Sequence, residues 1–320
     1  MVAVDDESMR SPTALGLALG AGADLLLADP ARWHPVAGFG AVAAALERRT
    51  WRDSRLVGTA YAGGLVAAAV ALGTAAGRGT RGRPTARVAA TAAVTWTVLG
   101  GTSLGRVAGR MHRALSDGDL PAARALLPSL AGRDPSHLDA AALARATVES
   151  VAENTADAAV APLFWGAVAG IPGLLGYRAV NTLDAMVGYR SARYARFGWA
   201  AARLDDLATW APARITAALT VACAPTVRGS AAGAWTAWLR DGSAHPSPNA
   251  GRCEAALAGA LDLRLGGRNV YGHRVEDRPL LGHGRAPGVA DVPRAVRLST
   301  RVWCAAAVLA AGTGWAGRRG

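Results

Sequence analysis

Two uncharged stretches constrain this chain more than any other feature. Leu56 to Gly77 carries no charged side chain and is followed by Arg78, Arg81, Arg83 and Arg87. Ala158 to Tyr177 is equally free of charge and stops at Arg178. Each approaches the roughly 20 apolar residues that a helix needs to cross hydrocarbon. Only a helix can satisfy every backbone N–H and C=O there within a single segment. Val88 to Gly105, between Arg87 and Arg106, and Val302 to Gly317, ahead of Arg318 and Arg319, are predicted to span as well. Thr13 to Ala28 is interrupted by Asp24, costly at mid-membrane and usually functional there. The alternative for that stretch is a signal peptide, with Arg10 before the apolar run and Ala21-Gly22-Ala23 as its cleavage site. Ile215 to Val227 offers only about 13 residues, which suits a re-entrant or interfacial element better than a crossing.

The expected fold is therefore all-α, a polytopic helical membrane protein with four to five spans. We read residues 1–320 as one integral-membrane domain, with polar, largely helical loops at about 106–157, 178–214 and 228–301. Ser136 to Asp139 has the S-x-x-D form of a capping box ahead of a helix from Ala140 to Asp157. A second polar helix is expected from Glu254 to Leu265, stopped by Gly266 and Gly267. No internal repeat and no strand alternation is evident.

Composition agrees. Of the 320 residues 51% are hydrophobic but only 18% charged, against about 25% charged in soluble domains. Much of the apolar content is Ala and Gly, which lets membrane helices approach closely; an Ala-rich soluble bundle is the competing reading. Every one of the 35 Lys and Arg residues is Arg, and the net charge is +12. Without Lys there is no Schiff-base chemistry and no complete P-loop. Arg suits loops beside anionic lipid and also binds phosphate and carboxylate with a planar fork. The arginines are scattered and accompany no recognition motif, which argues against nucleic acid. Cys223, Cys253 and Cys304 are too dispersed for a disulfide framework or a zinc site.

The most informative segment is RATVESVAENTAD, residues 145–157. Glu149, Glu153 and Asp157 recur every four residues and share one helical stripe headed by Arg145. Like charges at that spacing repel, and a bound cation such as Mg²⁺ would relieve the repulsion; Glu153 and Asp157 are the candidate metal ligands, and Asn154 lies among them. The alternative is a solvated acidic face. Beyond the second uncharged stretch, Tyr177, Asn181, Asp184 and Gly188 fall on one face, with Arg178 and Arg190 nearby. Asp205 and Asp206 then sit between Arg203 and Arg214; alone they could be surface ion pairs of little worth. Ser247-Pro248-Asn249 precede a helix N-terminus, whose free N–H groups can receive an anion, although many such loops are simply turns.

Taken together, ESVAENTADAAVAPLFW (149–165), YRAVNTLDAMVGYR (177–190), FGWAAARLDDLATWAPARITA (197–217) and SPNAGRCEAALAGALDLRLGG (247–267) resemble the signature blocks of the adenosylcobinamide-phosphate synthases, the CobD/CbiB membrane proteins of cobalamin biosynthesis. The resemblance reaches back to Asp29-Pro30 and His34-Pro35-Val36, includes GRDPSHLD (132–139), and covers about Asp24 to His273. It argues against a cleaved signal peptide, because Asp24 and Asp29 belong to the first block. Pro135, Ala158 and Arg252-Cys253 depart from the usual family pattern.

The resemblance implies an ATP-dependent amide ligase that joins aminopropanol, or its phosphate, to adenosylcobyric acid, with Mg²⁺ and ATP required. Glu149, Glu153, Asp157 and Asp184 become the catalytic candidates. Asp29, His34, Asn154, Arg178, Asn181, Arg190, Asp205, Asp206, Ser247 and Asn249 become the substrate-binding ones. Arg178, Arg190 and Arg203 would clamp phosphates, and His34 or a carboxylate would take the ammonium proton. The implied setting is the cell membrane, multi-pass, with the catalytic loops cytoplasmic and lipid as the surrounding partner. Docking of other late-pathway enzymes is left open. Two rivals share the acidic motifs: a membrane prenyl- or alcohol-phosphotransferase using Mg-diphosphate, and a corrinoid or metabolite permease with the acids as an ion path.

Overall fold

A computed structural model describes residues 4–30, 34–189, 191–271 and 274–316. Among the described residues four helical stretches are long and apolar enough to cross a membrane: Arg55–Gly79, Pro84–Ser116, Ala140–Gly188 and Val289–Gly312. A fifth crossing results if the broken pair Trp199–Ala208 and Trp210–Val227 acts as one. The protein is thus a polytopic helical membrane protein. Its contacts group the chain into two compact units, residues 1–100, 161–209 and 306–320 in the first and 101–160 and 210–305 in the second.

The first unit contains α1 (Val4–Leu27), α2 (Pro35–Thr50), α3 (Arg55–Gly79), α4 (Pro84–Val98), α8 (Ala161–Leu183) and α9 (Trp199–Ala208). Between lipid-soluble helices burial from water drives nothing, so association rests on close van der Waals packing. Small residues permit it here. Gly16 and Gly20 of α1 lie over Thr91 and Thr95 of α4, where an added Cβ would come within 2.5 Å of either threonine Cβ. On α3, Gly73 leaves room for the backbone of Pro172 in α8 at 2.7 Å from the same imagined atom. Below them Tyr61, Leu65, Leu183, Val187 and Phe197 form an apolar core. Tyr61 stacks on Phe197 with ring centroids 5.0 Å apart, and its hydroxyl donates to the Ala43 carbonyl at 3.0 Å.

The Ala158–Tyr177 stretch is not the straight span its lack of charge suggests. Gly170 adopts φ 63° and ψ −144° inside α8, and Pro172 follows, so the helix breaks there. Pro cannot supply the N–H that would continue the ladder, and Gly alone takes that backbone without strain.

The second unit contains α5 (Gly101–Ser116), α6 (Leu120–Leu126), α7 (Ala140–Thr155), α10 (Trp210–Cys223), α11 (Ala231–Asp241), α12 (Ala250–Leu261), the strands β1 (Leu265–Tyr271) and β2 (Arg274–Leu281), and most of α13 (Val292–Ala316). Three expectations change here. The cap of α7 is Asp139, which accepts from the Ala142 N–H at 2.8 Å, rather than Ser136. α7 passes through a π turn at Ala156–Val160, so Asp157 leaves the regular stripe. α12 stops at Asp262, whose φ of 55° is left-handed, and Gly266-Gly267 instead open an antiparallel hairpin, with φ of 85° at each glycine. That hairpin has no sequence alternation because its strands carry Gly, Arg, Asn, Glu and Asp. The segment Ile215–Val227 proves to be the end of α10 and the short 3-10 turn Ala224–Val227.

Candidate active site: acids and arginines around the 245–254 loop

In the second unit, α7 presents its carboxylates to the loop that leads into α12. Glu149 is buried and ion-paired with Arg133, itself buried. Its other oxygen accepts the Gly266 N–H at 2.7 Å. Arg145, one turn earlier, donates to the carbonyls of Gly266 and, at 2.8 Å, Arg268. The cation heading the acidic stripe therefore grips the hairpin instead of the acids, and Glu149 with Arg145 holds both backbone polar groups of Gly266. Glu153 and Asp157 are only partly covered, and between them Asn154 donates to the Ser150 carbonyl at 2.9 Å.

The loop faces these acids. Ser247 Oγ accepts the N–H groups of Asn249 at 3.3 Å and Ala250 at 3.1 Å, so the serine caps the helix start. Gly251 is required by space: a Cβ there would lie 2.4 Å from that of His245. Arg278, from β2, lies with Nη1 3.1 Å from His245 Nε2, and the Ser247 N–H lies 3.0 Å from Nδ1. A neutral imidazole has one accepting nitrogen, so only one of these can be a hydrogen bond at a time.

Electrostatics tie the cluster together. Burial raises the Glu254 carboxyl well above the ordinary range; the charges of Glu149 and Glu153 add to this, and Arg278 and Arg133 oppose it. Burial and then the charge of Arg278 push His245 down to about 4. His245 is therefore uncharged at neutral pH, and its 3.9 Å approach to Glu254 is not an ion pair. Burial also raises the Cys253 thiol, followed by the charges of Asp157, Glu153 and Glu254. Cys253, in the first turn of α12, packs with Ala156 and Ala213.

The remaining sequence candidates lie in the first unit. His34 accepts the Val36 N–H at Nδ1 as the cap of α2 and meets Asp29 at 3.1 Å through Nε2, so both ring nitrogens are engaged. Asn181 donates to Asp205 at 3.4 Å, and Arg203 pairs with Asp206 at 3.1 Å. Asp184 begins a second π turn, Asp184–Gly188, and folds over Gly188, where a Cβ would clash with its oxygen at 1.8 Å. Arg178 is half-buried on α8, and Arg190 lies outside the described residues. Arg133, His245, Glu254 and Arg278 escaped the sequence reading. The first three stand within or beside the signature blocks, but Arg278 had no signal, because only the hairpin brings it to the loop.

Among the described residues no group of three or more His, Cys, Asp or Glu side chains could hold a metal ion. Two carboxylates nevertheless suffice for Mg²⁺ when substrate phosphates and water complete its octahedron. Glu153 and Asp157 suit that arrangement in donor type and in being only partly covered, whereas Glu149 is committed to Arg133 and Gly266.

Span-length helices together with a partly buried cluster of acids and arginines define a polytopic membrane protein with a polar interior cluster. The family described as CobD/Cbib protein matches residues 17–299. Relatives called cobalamin biosynthesis protein CobD include one from Mycobacterium tuberculosis (strain ATCC 25618 / H37Rv), 57% identical over 93% of this chain and 94% of its own. Another, from Geobacter metallireducens, is 44% identical over 90% of this chain and 92% of its own. A third, from Chromobacterium violaceum, is 41% identical over 90% and 93%. The chain belongs to the CobD/CbiB family. No solved structure matches it.

Proposed function

We propose that this protein works in cobalamin biosynthesis as an ATP-dependent ligase, forming the amide between adenosylcobyric acid and aminopropanol or its phosphate. The observation that carries the reading is the cluster of Glu153, Asp157, Arg133 and Arg278 around the 245–254 loop, in a chain similar over most of its length to proteins named for this pathway. A carboxylate is a poor electrophile. Transfer of the terminal phosphoryl group of ATP to one of its oxygens gives an acyl phosphate and ADP; attack of the amine on the carbonyl carbon then expels phosphate. Both steps place negative charge on oxygens that need cationic partners.

Glu153 and Asp157 would hold Mg²⁺, which when bound supplies charge neutralisation on the transferring phosphoryl group. Arg278 and Arg133 bring fixed positive charge to the same pocket of residues, and Glu149 keeps the hairpin that carries Arg278 in register. The amine arrives as an ammonium ion and must lose a proton before attack. A carboxylate of the cluster suits that task better than His34, whose two nitrogens are both engaged. The catalytic segments face the cytoplasm in this reading, because ATP is supplied there. Membranes containing the protein, given radiolabelled aminopropanol phosphate, ATP and adenosylcobyric acid, should yield an amide-linked product only when all three are present. Transfer of label to lipid, or uptake without a new bond, would overturn the ligase reading.

A further inference from the structure

α11 has two apolar faces and no charge along its length until its end. From Gly229 to Leu239 no residue is ionisable, and the stretch is bracketed by Arg228 and Arg240. The inward face is made of small residues. Gly233 meets α12 so closely that a Cβ would lie 2.5 Å from the Gly259 carbonyl oxygen, and Ala234 and Ala237 are buried beside it. The outward face is Ala232, Trp235, Thr236 and Leu239, the i, i+3, i+4, i+7 pattern of one helical stripe. Trp235 is 50% exposed and Leu239 55% exposed. Trp238 stands at its flank, edge-on to Trp235 with ring centroids 5.3 Å apart.

We propose that α11 lies in the plane of the membrane, with this stripe seated in the lipid headgroup and upper acyl layer. Continuity argues for lipid as the occupant. Only the 3-10 turn Ala224–Val227 and three residues separate α11 from α10, one half of the broken apolar pair Trp199–Ala208 and Trp210–Val227. At 11 residues α11 is about 16 Å long, too short to cross the hydrocarbon layer. Trp is the side chain that favours the interface, with an apolar ring and one polar N–H. Arg228 at the N-terminal end matches anionic lipid phosphates, whereas Arg240 at the other end is ion-paired with Asp241. α11 leads directly into the 245–254 loop, and Asp241 at its end accepts the Gly282 N–H at 2.8 Å beyond β2. An interfacial α11 would thereby hold the loop at the membrane surface. The inference rests on the membrane fold and stands whether or not the ligase reading does.

The test uses the full chain in vesicles of phosphatidylethanolamine and phosphatidylglycerol. Single cysteines at Ala232, Thr236 and Leu239, in a background with the three native cysteines replaced, carry a nitroxide label; Asp117, an exposed loop position, serves as control. Collisions with oxygen relative to a water-soluble nickel chelate should be several-fold more frequent at the three α11 positions than at Asp117. Ratios equal to the control, or exclusion of both reagents by a second copy or another protein, would overturn the proposal. A measurement free of cysteine replacement uses brominated lipid to quench tryptophan fluorescence. The chain carrying Trp235→Phe and Trp238→Phe should lose a measurable part of the quenching shown by the natural chain, and an unchanged signal would likewise refute the interfacial position.

Discussion

Glu149 and Glu153 stand one helical turn apart and have different jobs. Glu149 is enclosed by Arg133 and the Gly266 N–H, so Glu149→Gln removes the carboxylate paired with a buried guanidinium and should lower stability by about 3 kcal/mol. Thermal unfolding in detergent would reveal this as a clear fall in midpoint. Glu153→Gln and Asp157→Asn should leave that midpoint near the natural value and depress turnover about a hundredfold or more, the scale for losing a transition-state charge partner. Wild-type turnover by either variant at limiting Mg²⁺ would remove that residue from the metal site. The sequence showed the three acids as equivalents on one stripe. Their division of labour was hidden because Arg133 and Gly266 reach Glu149 through tertiary contacts alone. His245 supplies a pH prediction. Its folded value is about 4 against the ordinary 6.5, so the unfolded chain takes up the proton first as pH falls. Stability should thus drop between about pH 6.5 and 4, by up to about 3 kcal/mol from this group. Melting curves between pH 5 and 6.5, above the main carboxylate range, should show a flatter slope for His245→Asn; an identical slope would mean that the ring takes up its proton alike in the folded and unfolded chains.

At the scale of elements, uncharged runs and Arg borders located α3, α8 and α13, because exclusion of charge is the membrane's own requirement. Breaks inside helices were harder to see. Gly170 and Pro172 interrupt α8, yet both residue types are common in spans and mark a break only when neighbours such as Gly73 crowd the backbone. The π turn that reorients Asp157 has no sequence signature at all. The β-hairpin was missed because polar strands lack the alternation of a half-buried sheet; it is held by Arg145 and Glu149 at its first residues and by the buried Leu265 and Leu281 at its ends. Close approach between helices can be tested directly. Gly259→Ala would place a Cβ 2.1 Å from the Gly233 carbonyl oxygen, so α11 and α12 must separate. A loss of about 2 kcal/mol is expected from such overpacking, read as a lowered melting midpoint. Gly64→Ala, where nothing lies within 4 Å, should change it little. Equal effects at the two positions would mean that helix packing does not limit stability here.

For the whole molecule, four span-length helices require an integral protein, and washing membranes with alkaline carbonate should leave it in the pellet. Recovery in the supernatant would remove the membrane assignment. The finer question is whether the chain crosses the bilayer between the NTLD and LDD segments and the 245–254 loop. The length of α10 argues against a crossing. α10 and the 3-10 turn Ala224–Val227 are the elements between α9 and α11, and α10 is the longer. With 14 residues it is about 21 Å long, short of the roughly 30 Å hydrocarbon layer. Its N-terminal Arg214 lies over the Trp210 ring, 4.0 Å from guanidinium carbon to ring centroid, a pairing suited to the headgroup level. Arg228 follows its far end. A re-entrant or interfacial α10 lets both arginines rest in one leaflet's headgroups, whereas a crossing would put Asp206 and Asn249 on opposite faces. Single cysteines at Ala208 and Ala244, in the background without native cysteines, can be challenged from outside with an impermeant maleimide in sealed, oriented vesicles. Both should react from the same side. Labelling of the two positions from opposite sides would establish a crossing and overturn the interfacial reading of α10.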